Sequence, residues 1–279
     1  MATIESIGYA FILTFIAGLS TGIGSLIAYF IRKPKMKYLT FGLGFSAGVM
    51  IYISFVELLP RGFNDWGEIQ ASIAFFLGIF FIFIIDLLIP EIENPHHPVN
   101  EDILISNRKM SIEEKGENKK QETGYEKKVK DGLLKSGMLT ALAIAIHNFP
   151  EGLATFAGSL GDIKVGLAIA VAIAVHNIPE GVSISIPIFY ATNNRKKAFI
   201  WSFLSGLTEP IGALIGFLIL RPFMTPELLG GILAFISGIM VYISLDEILP
   251  TAHHYGHGHV AIIGVVLGMI VMALSLILL

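Results

Sequence analysis

The chain has no cysteine among its 279 residues. That absence excludes disulfides, thiolate metal clusters and thiol nucleophiles, so any metal ligand must come from His, Asp, Glu, Asn, Gln or Met. Charge is scarce as well. Only 15% of residues are Asp, Glu, Lys or Arg, against about 25% in a soluble domain, while 54% are hydrophobic. A net charge of −3 argues against a nucleic-acid partner. No Walker loop or HExxH motif occurs, which counts against an ATP-driven pump and a zinc-dependent hydrolase. A zinc protease needs a general-base glutamate after its first histidine; this chain has Asn148 and Asn177 there. An intramembrane metal-dependent enzyme is therefore the weaker alternative. A metal sensor would need a soluble output domain, and the one sizeable hydrophilic stretch is residues 91–132.

Long apolar runs are what the chain has in place of these things. Eight are long enough to cross about 30 Å of hydrocarbon: residues 4–31, 39–60, 69–90, 133–157, 163–190, 197–220, 228–250 and 258–279. This composition predicts an all-α, polytopic integral membrane protein with eight transmembrane helices in a single domain, residues 1–279. MATIESIGYAFILTF has no basic leader region and no clear cleavage site, and reads as a retained first span. Sixteen of the nineteen basic residues fall after spans 1, 3, 5 and 7. By the positive-inside rule both termini lie outside and the 91–132 loop is cytoplasmic. That loop, with ten acidic and eight basic residues and no sustained period, reads as a solvated, disordered linker, with a transient helix open over 109–131. Its His96-His97 pair is either a metal contact or plain surface.

One six-residue phrase is written twice. His147-Asn148-Phe149-Pro150-Glu151-Gly152 recurs 29 residues later as His176-Asn177-Ile178-Pro179-Glu180-Gly181, both inside apolar runs. An ionised carboxylate at the centre of a bilayer costs about 2.5–3.5 kcal/mol on insertion scales, so a doubled His–Glu pair needs a reason. His and Glu four apart share a helix face. Counting at about 1.5 Å per residue from the turn near 158–162 puts the two boxes at one depth within roughly 5 Å. Glu209 in span 6 (GLTEPIGA) reaches a similar depth. A second repeat links FSAGVMIYISFVELLP in span 2 to FISGIMVYISLDEILP in span 7, displaced by 190 residues without a gap. Matching segments of opposite sense predict an inverted-repeat architecture, spans 1–3 related to 6–8 and span 4 to span 5.

Each buried acid adjoins a proline: Pro150-Glu151, Pro179-Glu180 and Glu209-Pro210. Proline leaves the carbonyl four residues earlier without its helical partner, here Ile146, Val175 and Gly206. In lipid such a carbonyl is tolerated only inside protein or beside a polar cavity. Imidazole plus carboxylate without thiolate suits zinc, iron(II), manganese, nickel or cobalt. Gly152 and Gly181, and the pairs Gly18/Gly22, Gly44/Gly48 and Gly264/Gly268, predict close helix packing.

These residues resemble the ZIP (Zrt-, Irt-like protein) family of divalent-metal transporters. HNFPEG at 147–152, HNIPEG at 176–181 and the TEP of 208–210 carry the likeness, which runs over all eight spans and the polar loop. The resemblance implies a metal path between spans 4 and 5, often binuclear, and import toward the cytoplasm by alternating access. It implies His147, Asn148, Glu151, His176, Asn177, Glu180 and Glu209 as ligands, with zinc, iron(II), manganese, cobalt or cadmium as substrate in the inner or plasma membrane. No cofactor is implied. Some relatives have Gln-Asp or His-Asp at the head of the second box; His176-Asn177 carries one charge fewer. With the orientation above, Glu57 falls at the outer mouth and Asp246-Glu247 at the inner one, as metal way-stations or as ordinary helix-end acids. His253, His254, His257 and His259 form a cytoplasmic cluster that either accepts exiting metal or binds it adventitiously. Asp86 reads as interfacial. A homodimer stays open.

Overall fold

The computed structural model describes residues 4–30, 36–88, 124–223, 225–254 and 257–278. Among them every regular element is helical. The helices are α1 (Ile4–Phe30), α2 (Met36–Ile53), α3 (Leu59–Trp66), α4 (Glu68–Leu88), α5 (Gly124–Gly161), α6 (Ile163–Thr192), α7 (Arg195–Gly206), α8 (Thr208–Leu220), α9 (Pro226–Ile243), α10 (Leu249–His254) and α11 (Gly258–Leu278). Their ends follow local chemistry. Asp162, Asn194 and Thr225 cap α6, α7 and α9, their side chains accepting from the backbone N–H of Lys164, Lys197 and Leu228. Asn193 ends α6 in the left-handed region, and Gly67, at φ 102°, turns the chain from α3 into α4.

Among the described residues, seven stretches are long and apolar enough to cross a membrane: Glu5–Phe30, Lys37–Trp66, Glu68–Leu87, Ile163–Thr192, Arg195–Leu220, Pro226–His253 and Gly258–Leu278. They make the chain an integral membrane protein. The remaining expected span, 133–157, lies inside the 38-residue α5, which also carries the charged turns around Glu126–Asp131. The expected linker 91–132 is therefore shorter at its far end, because α5 starts at Gly124 and runs without a break into the apolar stretch. Its earlier part, with His96-His97, lies outside the described residues.

The 190-residue repeat holds at the level of the backbone. α2 (Met36–Ile53) and α9 (Pro226–Ile243) share boundaries at that displacement, as do α4 (Glu68–Leu88) and α11 (Gly258–Leu278). Each copy also has a π-helical turn at the same place, Ser54–Leu58 and Ser244–Ile248. Proline explains the turns. Pro60 and Pro250 have no N–H to continue an α ladder, so the widened turn hands the Leu59 and Leu249 N–H groups to the Ser54 and Ser244 carbonyls. The serine hydroxyls donate to the Met50 and Met240 carbonyls, both at 2.7 Å.

Glycines set the helix spacing, as expected. A Cβ at Gly44 or Gly48 would collide with the Ala261 or Val265 carbonyl of α11, and one at Gly238 with the Phe75 carbonyl of α4. α2 thus lies in backbone contact with α11, and α9 with α4. The last turns of α3 run beside the first turns of α9: Gly62 meets Gly230 and Ala234, and Trp66 meets Gly231. A core of Leu43, Met50, Ile53, Ile173, Ile236, Ile239 and Met240, among others, joins these helices to α5 and α6.

Candidate metal site

α5, α6 and α8 bring all seven expected ligands into the interior. His147, Asn148, Glu151, His176, Asn177, Glu180 and Glu209 are each at most 2% exposed, a degree of burial that ionisable groups reach only when partnered. The boxes do not pair within themselves. His147 Nε2 lies 3.4 Å from Glu180 Oε2, and His176 Nε2 lies 3.3 Å from Glu151 Oε2. Each histidine meets the other helix's glutamate, so α5 and α6 are cross-linked twice. Glu209 stands in the first turn of α8, just past a break at Leu207 that separates it from α7. Its Oε1 accepts a hydrogen bond from Asn177 Nδ2, which also donates to the Ala17 carbonyl at 3.2 Å. Asn148 Nδ2 donates to the Ser205 carbonyl at 3.3 Å.

Glycine brings the backbones together at this level. A Cβ on Gly152 would collide with the Glu209 carbonyl, and one on Gly212 with the Phe149 carbonyl. On the other side, Gly24 of α1 packs on the Ile178 carbonyl and Gly181 on that of Thr21. The Gly206 carbonyl, expected to be freed by Pro210, packs against Gly18 of α1.

Six of the seven side chains keep one buried donor or acceptor atom without a partner: His147 Nδ1, Asn148 Oδ1, Glu151 Oε1, His176 Nδ1, Asn177 Oδ1 and Glu209 Oε2. Buried polar atoms are rarely left so, each costing about 1–3 kcal/mol. Among the described residues, no three His, Asp or Glu side chains already converge on one point; they close on each other in pairs. The pattern is a nest of hard and borderline donors held inside an apolar protein.

The outlying residues take different positions. Glu57 sits half-buried on the first π turn, within electrostatic reach of Arg61 and of Asp162 in the α5–α6 turn. Glu247 occupies the matching place on the second π turn and lies within electrostatic reach of His147. Asp246 is exposed beside it, and Tyr242 OH donates to Asp86 Oδ2 at 3.4 Å. His253, His257 and His259 are exposed, His253 donating from Nδ1 to the Leu249 carbonyl at 3.1 Å. The side chain of His254 lies outside the described residues. One polar contact was not anticipated: Ser46 of α2 donates from Oγ to Glu180 Oε1 at 3.2 Å. Its signal was present in the repeat, where Ser46 is matched by Ile236.

The family model for the ZIP zinc transporters matches residues 4–276 of the chain. Curated relatives agree over nearly the whole length. A protein of Chlorobium phaeovibrioides named zinc transporter ZupT is 52% identical, with 97% of each chain covered. The proteins of that name from Clostridium perfringens and Campylobacter jejuni are each 51% identical. The first match covers 96% of this chain and 95% of its relative, the second 98% and 97%.

Proposed function

The chain belongs to the ZIP zinc-transporter family, and from that premise we propose that it carries zinc into the cytoplasm through the nest formed by α5, α6 and α8. It is a divalent-metal transporter and not an enzyme. Iron(II), manganese, cobalt and cadmium are further candidate substrates. The six unpartnered atoms on His147, Asn148, Glu151, His176, Asn177 and Glu209 carry this reading, because each offers a lone pair that a divalent cation takes up. With both Glu180 oxygens already engaged, that side chain joins the set by exchanging its His147 contact for metal.

Several observations support the architecture that goes with this reading. The apolar part of α5 serves as the eighth span, since its box faces the one in α6. The end of α3 lies against the start of α9, so the two repeat copies run in opposite directions, in favour of an inverted repeat with α5 and α6 as its central pair. The Lys and Arg distribution favours both ends outside and residues 91–132 inside the cell. Glu57 and Glu247, placed alike on the two π turns, then stand outward and inward of the nest as way-stations. The exposed histidines after α9 offer exiting metal a first contact.

Reconstituted protein tested with zinc, iron(II), manganese, cobalt and cadmium should give saturable uptake, strongest for zinc. Absence of flux for every metal would sink the proposal. Orientation has a direct test, since the native chain supplies no competing thiol. A single cysteine replacing Ser136 or Lys196 should react with an impermeant maleimide only after cells are opened, and one replacing Ile163 should react in intact cells. Zinc affinity should depend on acidity. Metal binds the unprotonated imidazole, so protons compete, and affinity is expected to fall progressively as the pH is lowered. A binding constant flat between about pH 5.5 and 7.5 contradicts histidine ligation.

A further inference from the structure

Glu151 and Glu180 are equivalent in the repeated box, yet the structure treats them differently. Glu151 Oε1 has no partner, whereas Glu180 Oε1 accepts from Ser46 and its Oε2 faces His147. The difference traces to one pair of positions. Ser46 on α2 corresponds to Ile236 on α9, at the 190-residue displacement that also relates the two helices and their π turns. Ser46 is fully buried and does not behave like its neighbours. The hydroxyls of Ser54, Ser237 and Ser244 turn back onto carbonyls of their own helices, whereas Ser46 reaches across to α6.

We propose that Ser46 is a positioning residue that sets metal preference by keeping one oxygen of Glu180 out of the coordination sphere. The inference rests on the reading above that the His/Glu nest binds the transported ion. Zinc is content with about four ligands and one oxygen per carboxylate, at about 2.0–2.2 Å. Manganese and similar oxygen-seeking ions favour about six ligands, for which a carboxylate that turns both oxygens inward is an advantage. While Ser46 holds Oε1, Glu180 offers Oε2 alone. Glu151, with Ile236 at the corresponding place on α9, is under no such restraint. The site thereby combines one adaptable glutamate with one restricted glutamate, and the restriction disfavours ions of higher coordination number.

The test compares Ser46→Ala, Ser46→Thr and Ile236→Ser with the unaltered chain in proteoliposomes. The KM for manganese relative to that for zinc is one readout, and equilibrium competition of manganese against bound zinc on the detergent-purified protein is the other. Ser46→Ala should lower the manganese-to-zinc ratio roughly tenfold, the scale expected for one hydrogen bond to a charged group. Ser46→Thr, which keeps the hydroxyl, should restore the original ratio, and Ile236→Ser should raise it. A ratio unchanged in Ser46→Ala overturns the proposal, including the case where uptake of both ions falls in proportion. If Ser46→Ala does not fold, Ile236→Ser decides, and an unmoved ratio there overturns it equally. Failure of the underlying site reading shows separately, as zinc binding that survives Glu151→Ala.

Discussion

Glu151→Ala is expected to cut zinc uptake at least about 100-fold, since the outer partners of metal ligands alone are worth about 10–100-fold. The side chain holds two roles at once. Its Oε2 fixes the His176 ring at 3.3 Å, and its Oε1 is a buried acceptor awaiting a partner. Removing it deletes one ligand and releases a second. His147→Ala should have a comparable effect, because it removes the ring that faces Glu180. Neither loss should be a failure to fold. Removing the buried carboxylate relieves a cost to stability, while leaving His176 Nε2 without its partner adds one of similar size, so the metal-free thermal midpoint of Glu151→Ala should stay near that of the unaltered chain while transport collapses. Glu151→Gln separates shape from charge: it keeps the outline of the carboxylate and should remain nearly as defective as alanine. Unaltered zinc and iron flux in both Glu151→Ala and His147→Ala would refute the assigned path.

That expectation was reachable from the sequence only in part. The doubled box and Glu209 identify which residues are buried together, because length and apolar flanks fix depth along a helix axis. The same counting cannot fix rotation about the axis. Reading His147 with Glu151 as one i,i+4 pair is the natural choice from spacing, yet the structure joins His147 to Glu180 and His176 to Glu151. Which faces meet is decided by backbone approach at Gly24, Gly152, Gly181 and Gly212, a property of helix pairs that no single run displays. The π turns were similarly hidden. Leu-Pro after Glu57 and after Asp246-Glu247 announces a disturbed ladder, but whether a helix answers proline with a kink, a break or a widened turn depends on its packing. Here the chain uses two of these answers: a π turn at Ser54–Leu58 and Ser244–Ile248, and a break at Leu207 before Pro210. The contact of Ser46 is illegible in the sequence for a different reason. A lone serine in an apolar helix is ordinarily a back-bonded residue, and only its mismatch with Ile236 set it apart.

Gly152→Ala should be the most damaging of the small substitutions, because it acts on the fold and on the nest together. A Cβ there would strike the Glu209 carbonyl, with the carbonyl carbon at 2.5 Å and the Cα at 2.6 Å. These are backbone atoms, so no rotamer change relieves the clash; α5 and α8 must move apart. The reciprocal contact, Gly212 on the Phe149 carbonyl, prevents a simple tilt, since opening one side presses the other. Overpacking of this kind costs about 1–3 kcal/mol, occasionally more, or a fall in Tm of roughly 2–5 °C for a chain of this size. The separation also carries Glu209 away from Asn177 and from the α5 box, so zinc uptake should fall further than the loss of folded protein explains. Gly152→Val should exceed Gly152→Ala in both respects. Gly8→Ala is the internal control, because a Cβ at that position meets nothing within 4 Å. Should Gly152→Ala melt and transport like Gly8→Ala, the α5–α8 contact is not what holds Glu209 in place, and its position in the nest must depend instead on its hydrogen bond to Asn177.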